Sequence, residues 1–297
     1  MILITGAAGK TGKAVLRALT KRGQLVKALV FRSEQVREVE RLGAKDILMG
    51  DMRNPDILEK ALQGVNSVYH ICPNVHPDEI TIGQEIINAA VANGITHFVY
   101  HSVLHPQIEA MPHHWKKMRV EENLFESGLP YTILQPAAYM QNILVNWGTI
   151  IESGKYTIPY AVETRISMVD LEDVALTATI VLMEGNRDQS QPLHHAATYE
   201  LVGTPAMSQT EVAATLSQQL DRPVIAESLP IDTWEQRARA SGIGDYQLDT
   251  LVKMFTYYEK YGFSGDSHVL GWILNRPATS FEAFVKRTAQ NRLHFVQ

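Results

Sequence analysis

The chain has 297 residues, of which 45% are hydrophobic and 20% are charged, and its formal net charge is -5 at pH 7. These values are typical of a globular protein with one large domain and an appended lobe, or with two domains. No apolar run reaches the roughly 20 residues of a membrane-spanning helix, and no long basic tract indicates direct binding of nucleic acid. The single cysteine, Cys72, cannot form an internal disulfide, and the first residues lack a secretory signal pattern, so we expect a cytoplasmic protein.

Short apolar stretches alternate with stretches of helical periodicity up to about residue 150. The predicted strands are residues 2–5, 26–31, 46–49, 65–72, 97–103 and 131–136. The predicted helices are residues 13–22, 34–42, 55–63, 79–93 and 113–127. Strands that alternate with helices in this way predict an α/β fold, with helices on both faces of a parallel sheet. Right-handed crossovers then make it a doubly wound parallel sheet.

The regular alternation fades after about residue 150, where Gly, Pro and aromatic residues mix with single helices such as 209–220. Residues 165–184 are still typical of a strand end followed by an amphipathic helix, and 183–195 is the best candidate for a loop. We therefore predict a sheet domain over 1–152 that also uses part of 165–202, and a smaller, interleaved α+β lobe over 153–297.

Three glycines follow the first predicted strand at a spacing of three, in the stretch TGAAGKTG. At a strand-to-helix turn, backbone N–H groups and the helix dipole can bind a pyrophosphate, and glycine lets the backbone approach that anion closely. The alternative is a tight turn that binds nothing. The spacing GxxGxxG, where the common dinucleotide fingerprint is GxGxxG, indicates the short-chain dehydrogenase group. The predicted cofactor contacts in this loop are Gly6, Ala8, Gly9, Lys10, Thr11 and Gly12.

The second predicted strand ends in FRSEQ, where an acidic residue would bind a ribose 2′-hydroxyl and repel a 2′-phosphate. Arg32 and Ser33 offer a cation and a hydroxyl at this point, which favours NADP(H) over NAD(H), although Arg32 is also typical of a solvated strand end. Asp51 and Met52, which follow the third strand, are further candidate cofactor contacts. Asp51 either binds the adenine amino group or caps the helix that starts near Pro55.

TGAAGKTG, the arginine after the second strand, GDMRNPDIL and the run HHWKKMRVEENLFESGLPYTILQPAAYMQNIL together resemble the NmrA-like family. This family consists of atypical members of the short-chain dehydrogenase/reductase superfamily. The resemblance implies a Rossmann domain that binds NADP(H) and a small C-terminal lobe that closes over a substrate cleft. Members range from NADPH-dependent quinone, dye and isoflavone-type reductases to redox sensors that bind dinucleotide without evident turnover. The resemblance therefore predicts the fold and the cofactor better than it predicts the reaction.

Ordinary short-chain dehydrogenases use a serine after the fifth strand and a Tyr-x-x-x-Lys pair on the next helix. The resemblance puts Ser102 at the serine, Lys117 at the lysine and His113 at the tyrosine. A spacing of four places His113 and Lys117 on one helix face, and a histidine titrating near neutrality could pass a proton to a reduced carbonyl. Alternatively, Lys117 binds the nicotinamide ribose and His113 is a polar surface residue. The missing tyrosine argues against ordinary alcohol dehydrogenase activity.

Two further stretches match family segments that line the cofactor cleft, namely His70 to Asn74 and Gln135 to Tyr139. Both follow predicted strands, and open α/β sheets bind ligands at the carboxyl ends of their strands. We expect Pro73 and Asn74 to contact the nicotinamide half and Pro136 to line the cofactor cleft. Tyr139 either faces the substrate or fills the core.

Other patterns remain secondary. His101 with His105, and His113 with His114, are the nearest histidine clusters, but His101 and His105 run from a strand into a loop, so we expect no metal site. The aromatic run 254–263 with Trp272 is typical of a pocket wall for a flat substrate, of the second lobe's core or of a dimer face. Ser102 lacks a nucleophile elbow, which argues against a hydrolase.

Two functions therefore remain open. The first is an NADPH-dependent reductase that transfers hydride to a quinone or another flat, carbonyl-containing small molecule. The second is a dinucleotide-sensing regulator that binds protein partners and has no turnover. The sequence leaves both a homodimer and a protein partner open, and it names no substrate.

Overall fold

The computed structural model describes residues 1–185 and 193–293. Within them, the strands are β1 (Ile2–Ile4), β2 (Val26–Val30), β3 (Asp46–Met49), β4 (Ser67–His70), β5 (His97–His101), β6 (Tyr131–Pro136), β7 (Ala138–Tyr139), β8 (Lys155–Ile158), β9 (Met168–Val169), β10 (Ala197–Leu201) and β11 (Ile225–Ser228). The helices are α1 (Lys10–Thr20), α2 (Ser33–Arg41), α3 (Pro55–Leu62), α4 (Glu79–Ala92), α5 (Pro112–Glu126), α6 (Trp147–Ser153), α7 (Leu171–Glu184), α8 (Gln209–Leu220), α9 (Ile231–Ala240), α10 (Asp245–Tyr261), α11 (His268–Leu274) and α12 (Phe281–Leu293). Residues 186–192 of the predicted loop 183–195 lie outside the described part.

Among the described residues, seven strands form one sheet in the order β10-β6-β5-β4-β1-β2-β3. The strands from β1 to β6 pair in parallel, with Ile4 beside both Ala28 and Tyr69. The strand order reverses between β1 and β4, and this is the point where doubly wound sheets bind ligands, at the carboxyl ends of the strands. The prediction of a doubly wound parallel sheet is confirmed.

The sheet forms because its strands are apolar on both faces. Every residue of β2 and β5 is buried, as expected for parallel strands covered by helices on both sides. The core on one face joins strand residues to residues of α3, α4 and α5, with Leu58, Ile86 and Leu124 fully buried. The amphipathic helix α1 buries Val15, Leu16 and Leu19.

The element boundaries differ slightly from the predicted ones. Helix α1 begins at Lys10, three residues before the predicted start, because its first turn is built from small and polar residues that have no apolar periodicity. Strand β2 ends at Val30, so Phe31 is 62% exposed at the edge of the sheet. Apolar character therefore predicted these two boundaries only to within a few residues.

The chain divides into two compact units, and the first comprises Met1–Glu109, His113–Pro136 and Val174–Glu200. The second comprises Ala110–Pro112, Ala137–Asp173 and Leu201–Gln297. In the second unit, β8 pairs with β11 and β7 with β9, both in parallel. Its core includes Trp147, Leu216, Phe281 and Phe284, so the second unit has a hydrophobic centre of its own. No described helix has the length and apolarity needed to span a bilayer.

Candidate cofactor and active site

The glycine loop lies between β1 and α1, and its backbone is too crowded for a side chain at Gly6 or Gly12. Gly6 has φ +57°, and a Cβ there would lie 2.8 Å from the carbonyl oxygen of Ile71. A Cβ on Gly12 would overlap the carbonyl oxygen of Gly6 and the Cα of Ala7. The N–H of Gly9 donates to Gly6 O at 2.9 Å and closes the turn. Local packing therefore requires glycine at Gly6 and Gly12, whereas a Cβ on Gly9 would make one tight contact, 3.2 Å from the carbonyl oxygen of Gly6.

Helix α1 begins at this loop, with Gly9 as its N-cap and no acidic side chain in its first turn. The first N–H groups of an α-helix have no acceptor within the helix, and the positive end of the helix dipole lies beside them. Lys10 is exposed in the same turn, whereas Thr11 and Gly12 are buried. The arrangement suits an anion that is bound mainly by backbone N–H groups.

A side-chain hydrogen bond ties the loop to the neighbouring strand. The hydroxyl of Thr5 accepts the N–H of Ile71 at 2.9 Å and lies 2.9 Å from Nδ1 of His70. Burial lowers the pKa of His70 to about 4, so its ring is neutral at pH 7. Because Thr5 directly follows β1 and His70 ends β4, this contact fixes the loop at the point where the strand order reverses.

Arg32 lies at the carboxyl end of β2, immediately before α2. The side chain of Gln35 accepts the backbone N–H groups of Phe31 and Arg32 at 3.0 and 2.9 Å, which fixes this turn. Arg32 is exposed and makes no ion pair among the described residues. The Ser33 hydroxyl donates to Glu34 at 3.1 Å, so this hydroxyl already has an acceptor. Of the two predicted phosphate contacts, Ser33 is thus bonded to a carboxylate, whereas Arg32 is not bonded to one among the described residues.

The loop after β3 settles one open alternative. Asn54, not Asp51, caps α3, since its side chain accepts the N–H of Asp56 at 3.0 Å. Asp51 instead accepts the backbone N–H of Arg53 at 2.9 Å and pairs with its guanidinium at 2.7 Å. The cap interpretation of Asp51 is therefore wrong. Met52 is partly buried against the core of the sheet.

Lys117 lies on α5 and forms a buried ion pair with Glu79, the first residue of α4. Its ammonium is 2.9 Å from Oε1 of Glu79 and donates to the carbonyl oxygen of His101 at 3.3 Å. The Tyr100 hydroxyl donates to the same Glu79 oxygen at 3.0 Å, and the ammonium lies 5.4 Å from the Tyr100 ring centroid. Burial raises the pKa of Glu79, but the charge of Lys117 and these hydrogen bonds outweigh it and keep that pKa below its ordinary value.

His113 precedes Lys117 by one helical turn and is half-buried. Its Nδ1 atom is buried without a hydrogen-bond partner in the described structure. Its ring packs edge-on against the ring of His114, with the two ring centroids 4.4 Å apart. Burial, and secondarily the charge of Lys117, lower the pKa of His113 to about 4. The expectation that His113 titrates near neutrality is therefore wrong, because burial disfavours the imidazolium.

Ser102 is buried in a second carboxylate cluster. Its hydroxyl donates to Glu121, and the amide of Gln135 donates to both Glu121 oxygens at 2.9 and 3.0 Å. Burial raises the pKa of Glu121 above its ordinary value. Ser102 lies where the resemblance placed it, after β5, but its proton is directed at Glu121.

The remaining predicted residues divide between the units. Pro73 and Asn74 are exposed on the loop after β4, and Pro136, at the end of β6, accepts the N–H of Leu104 at 2.9 Å. Tyr139 lies in β7 of the second unit and is half-buried. The carboxyl edge of the parallel strands thus brings together the glycine loop, Arg32, Asp51, Pro73, Asn74, Ser102 and Pro136. In the described ranges, no three His, Cys, Asp or Glu side chains are grouped as metal ligands.

Sequence reasoning missed Glu79, Tyr100 and Glu121. The pair Asp78-Glu79 is typical of an acidic first turn, and Glu121 lies in the stretch VEENL on an otherwise polar helix. The spacing of Lys117 and Glu121 places both on one helix face and would have predicted that they pair, whereas Glu121 accepts from Ser102 and Gln135. No local signal identified Glu79, because its partner lies 38 residues away.

Comparisons with known proteins agree with this geometry. The family model of the NmrA-like family matches residues 1–284. The chain is 30% identical over 291 residues to an NAD(P)H azoreductase of Xenophilus azovorans, covering 97% of this chain and 98% of that protein. It is 28% identical over 283 residues to quinone oxidoreductase 2 of Escherichia coli K12, covering 94% of this chain and 96% of that protein. The solved structure of the NADPH-dependent quinone oxidoreductase of E. coli in complex with NADPH aligns with a TM-score of 0.82 and 26% identity, over 97% of this chain and 99% of that one. The chain therefore belongs to the NmrA-like family.

Proposed function

We propose that this chain is an NADPH-dependent reductase of quinones, azo compounds or other flat small molecules with conjugated acceptors. The main observation is the glycine loop at the start of α1, together with an exposed arginine at the end of β2. Near full-length relatives named as an azoreductase and a quinone oxidoreductase support the substrate class.

The loop residues fit a dinucleotide pyrophosphate. Gly6 and Gly12 leave no room for a Cβ, and the backbone of the first turn of α1 offers N–H donors without an acidic competitor. The N–H groups from Lys10 to Gly12 would donate to the phosphates, and the exposed Lys10 would add a charge. Thr5 would hold the loop against β4 while the anion binds.

Arg32 would bind the 2′-phosphate and so prefer NADPH to NADH. Its guanidinium has no carboxylate partner among the described residues and would therefore not have to give up an ion pair. Glu34 lies near it, but that carboxylate accepts the Ser33 hydroxyl. A guanidinium and a phosphate form strong, charge-assisted hydrogen bonds, which supports Arg32 as the main determinant of cofactor preference.

Lys117 would bind a hydroxyl of the nicotinamide ribose. An ammonium has three protons. Two of them are directed at Glu79 and at the carbonyl oxygen of His101, at 2.9 and 3.3 Å. One proton therefore remains for a ligand. Asp51, Met52, Pro73, Asn74, Pro136 and Tyr139 stay proposed cofactor contacts.

The protonation states favour an acceptor that needs no dedicated acid. His113 is neutral at pH 7, since its pKa is lowered to about 4, and the Ser102 hydroxyl is directed at Glu121. Bound NADPH supplies the hydride. Hydride transfer to a quinone leaves an oxyanion that is weakly basic and can be protonated by solvent afterwards. Hydride transfer to a simple ketone leaves a strongly basic alkoxide, which needs a positioned proton donor. We therefore infer quinone-like substrates and not simple alcohols or ketones.

The test is steady-state oxidation of NADPH with a panel of quinones, azo dyes and simple ketones. We expect oxidation with quinones or azo dyes and none with simple ketones. NADPH binding without oxidation across the whole panel would contradict the reductase and favour a regulator that binds the dinucleotide. Turnover of simple ketones as fast as quinones would contradict the substrate class.

A further inference from the structure

Glu79 is a buried carboxylate behind Lys117, outside every stretch for which we expected a cofactor contact. Its side chain is 4% exposed, and that of Lys117 is 14% exposed. Burying such a pair requires good geometry and additional hydrogen bonds, since both charges lose their hydration. The Tyr100 hydroxyl supplies one of these bonds at 3.0 Å.

The contacts around Lys117 fix the direction of its ammonium. Glu79 reaches it from the start of α4, the carbonyl oxygen of His101 reaches it from β5, and the Tyr100 ring lies beneath it. A free lysine side chain loses rotamer entropy when it binds a ligand. Because Lys117 is already held, most of that entropy is lost before a ligand arrives.

Glu79 is itself held in place. It is the first residue of α4, and its Oε1 atom accepts both Lys117 and Tyr100. The neighbouring ring of His70 stacks on Tyr100, with ring centroids 5.8 Å apart. The Thr5 hydroxyl lies 2.9 Å from this His70 ring. A continuous row of buried side chains thus joins the glycine loop to Lys117.

We propose that Glu79 is a positioning residue that holds the Lys117 ammonium with its third proton directed at a hydroxyl of the bound dinucleotide. This inference rests on the proposed function, because it requires that the chain bind NADPH. It assigns Glu79 a role through Lys117 and not through direct contact with the cofactor.

A double-mutant cycle on NADPH binding tests the proposal. We expect Glu79→Gln to weaken NADPH binding about tenfold, as for the loss of one well-aligned hydrogen bond to a charged group. Lys117→Met removes the group through which Glu79 acts, so Glu79→Gln should change binding less than twofold in the Lys117→Met background. Binding is measured by NADPH fluorescence on the full-length protein.

Matched controls separate positioning from stability. Glu85→Gln neutralises another carboxylate of α4, and Arg119→Met removes an exposed cation of α5, so neither should change NADPH binding. If Glu79→Gln does not fold, as judged by its melting temperature, Glu79→Asp keeps the charge but withdraws it from Lys117 and should also weaken binding. In the steady state, Glu79→Gln should raise the KM for NADPH and leave the KM for the quinone unchanged.

The outcomes distinguish the two proposals. Two results would overturn the role of Glu79 and leave the proposed reductase activity standing. One is wild-type NADPH affinity in a folded Glu79→Gln or Glu79→Asp variant. The other is an equal loss of NADPH affinity on Glu79→Gln in the wild-type and the Lys117→Met backgrounds. If the wild-type protein binds NADPH but oxidises none of it, the proposed reductase activity is wrong. The double-mutant cycle on NADPH binding would then still test the role of Glu79. Wild-type protein that binds no NADPH would overturn both.

Discussion

At the scale of single residues, Arg32 provides the sharpest test of cofactor preference. We expect Arg32→Ala to weaken NADPH binding at least tenfold, because a charge-assisted bond to a phosphate contributes roughly 1.5 to 3 kcal/mol, and to change NADH binding little. Arg37→Ala is the matched control, since Arg37 is an exposed arginine on α2, the helix that follows Arg32. Fluorescence titration with NADPH and with NADH measures the ratio of their two dissociation constants in each variant. Equal losses for NADPH and NADH would remove Arg32 from the 2′-phosphate site.

Only some of the side chains of the site could be predicted from the sequence. The glycines, Arg32 and the His113–Lys117 spacing are local patterns, and the structure places them as local patterns predict. The protonation state of His113 depends on burial by the folded chain, so the sequence could not show that its pKa falls to about 4. Glu79 was missed for a similar reason, because its contact with Lys117 depends on how α4 and α5 lie against β5.

At the scale of elements, Gly12 shows how closely α1 and the turn before it fit. We expect Gly12→Ala to destabilise the fold by about 1 to 3 kcal/mol through overlap with Gly6 and Ala7, and to abolish tight NADPH binding. Gly148→Ala is the control, since Gly148 lies in α6 with no heavy atom within 4 Å of an added Cβ. Alanine there should be neutral or stabilise by up to about 1 kcal/mol. Thermal unfolding compares the two, and a Gly12→Ala protein with wild-type stability and NADPH affinity would contradict the account.

The order and type of the elements followed from periodicity, but the capping of helices did not. In GDMRNP, both Asp51 and Asn54 are good N-cap residues. Asn54 prevails because Pro55 fits the first position of α3, where its missing N–H costs nothing, and Asp51 is occupied by Arg53. Which of two suitable residues caps a helix thus depends on the hydrogen-bond partner that each side chain has in the folded chain.

At the scale of the whole molecule, buried neutral histidines predict sensitivity to mild acid. Burial lowers the pKa of His70 and His113 to about 4, and that of His97 and His101 to about 3. In the unfolded chain these rings titrate near pH 6.5, so below that pH the unfolded state binds more protons. Stability should therefore fall as pH drops from about 6.5 towards 4, by up to roughly 1.4 kcal/mol per pH unit for each ring.

Urea unfolding at several pH values between 7 and 5 measures this loss, in a range above the titration of ordinary carboxylates. His97→Gln should reduce the slope, because one buried ring no longer titrates on unfolding. The control Gln107→Asn changes an exposed side chain that does not titrate and should leave the slope unchanged. A stability that stays constant from pH 7 to pH 5 would contradict the buried, neutral state of these rings.

The interleaving of the two units shows which part of the overall fold was accessible from the sequence. The chain passes through the second unit from Ala137 to Asp173, returns to the first unit at Val174, within α7, and then adds β10 to the sheet. The alternating pattern up to residue 136 predicted the six parallel strands well. Beyond it the elements are short and pair with distant partners, such as Ile225 with Lys155, so local periodicity could not predict their arrangement.

The central claim is that NADPH bound at the glycine loop reduces a flat acceptor, and single-turnover oxidation tests it most directly. A stoichiometric complex of the protein with NADPH is mixed with a quinone, and the absorbance of NADPH is followed alongside a protein-free mixture and one that contains Gly12→Ala. We expect the wild-type protein to oxidise its bound NADPH much faster than either control mixture. Oxidation at the protein-free rate, with NADPH shown to be bound, would contradict the claim.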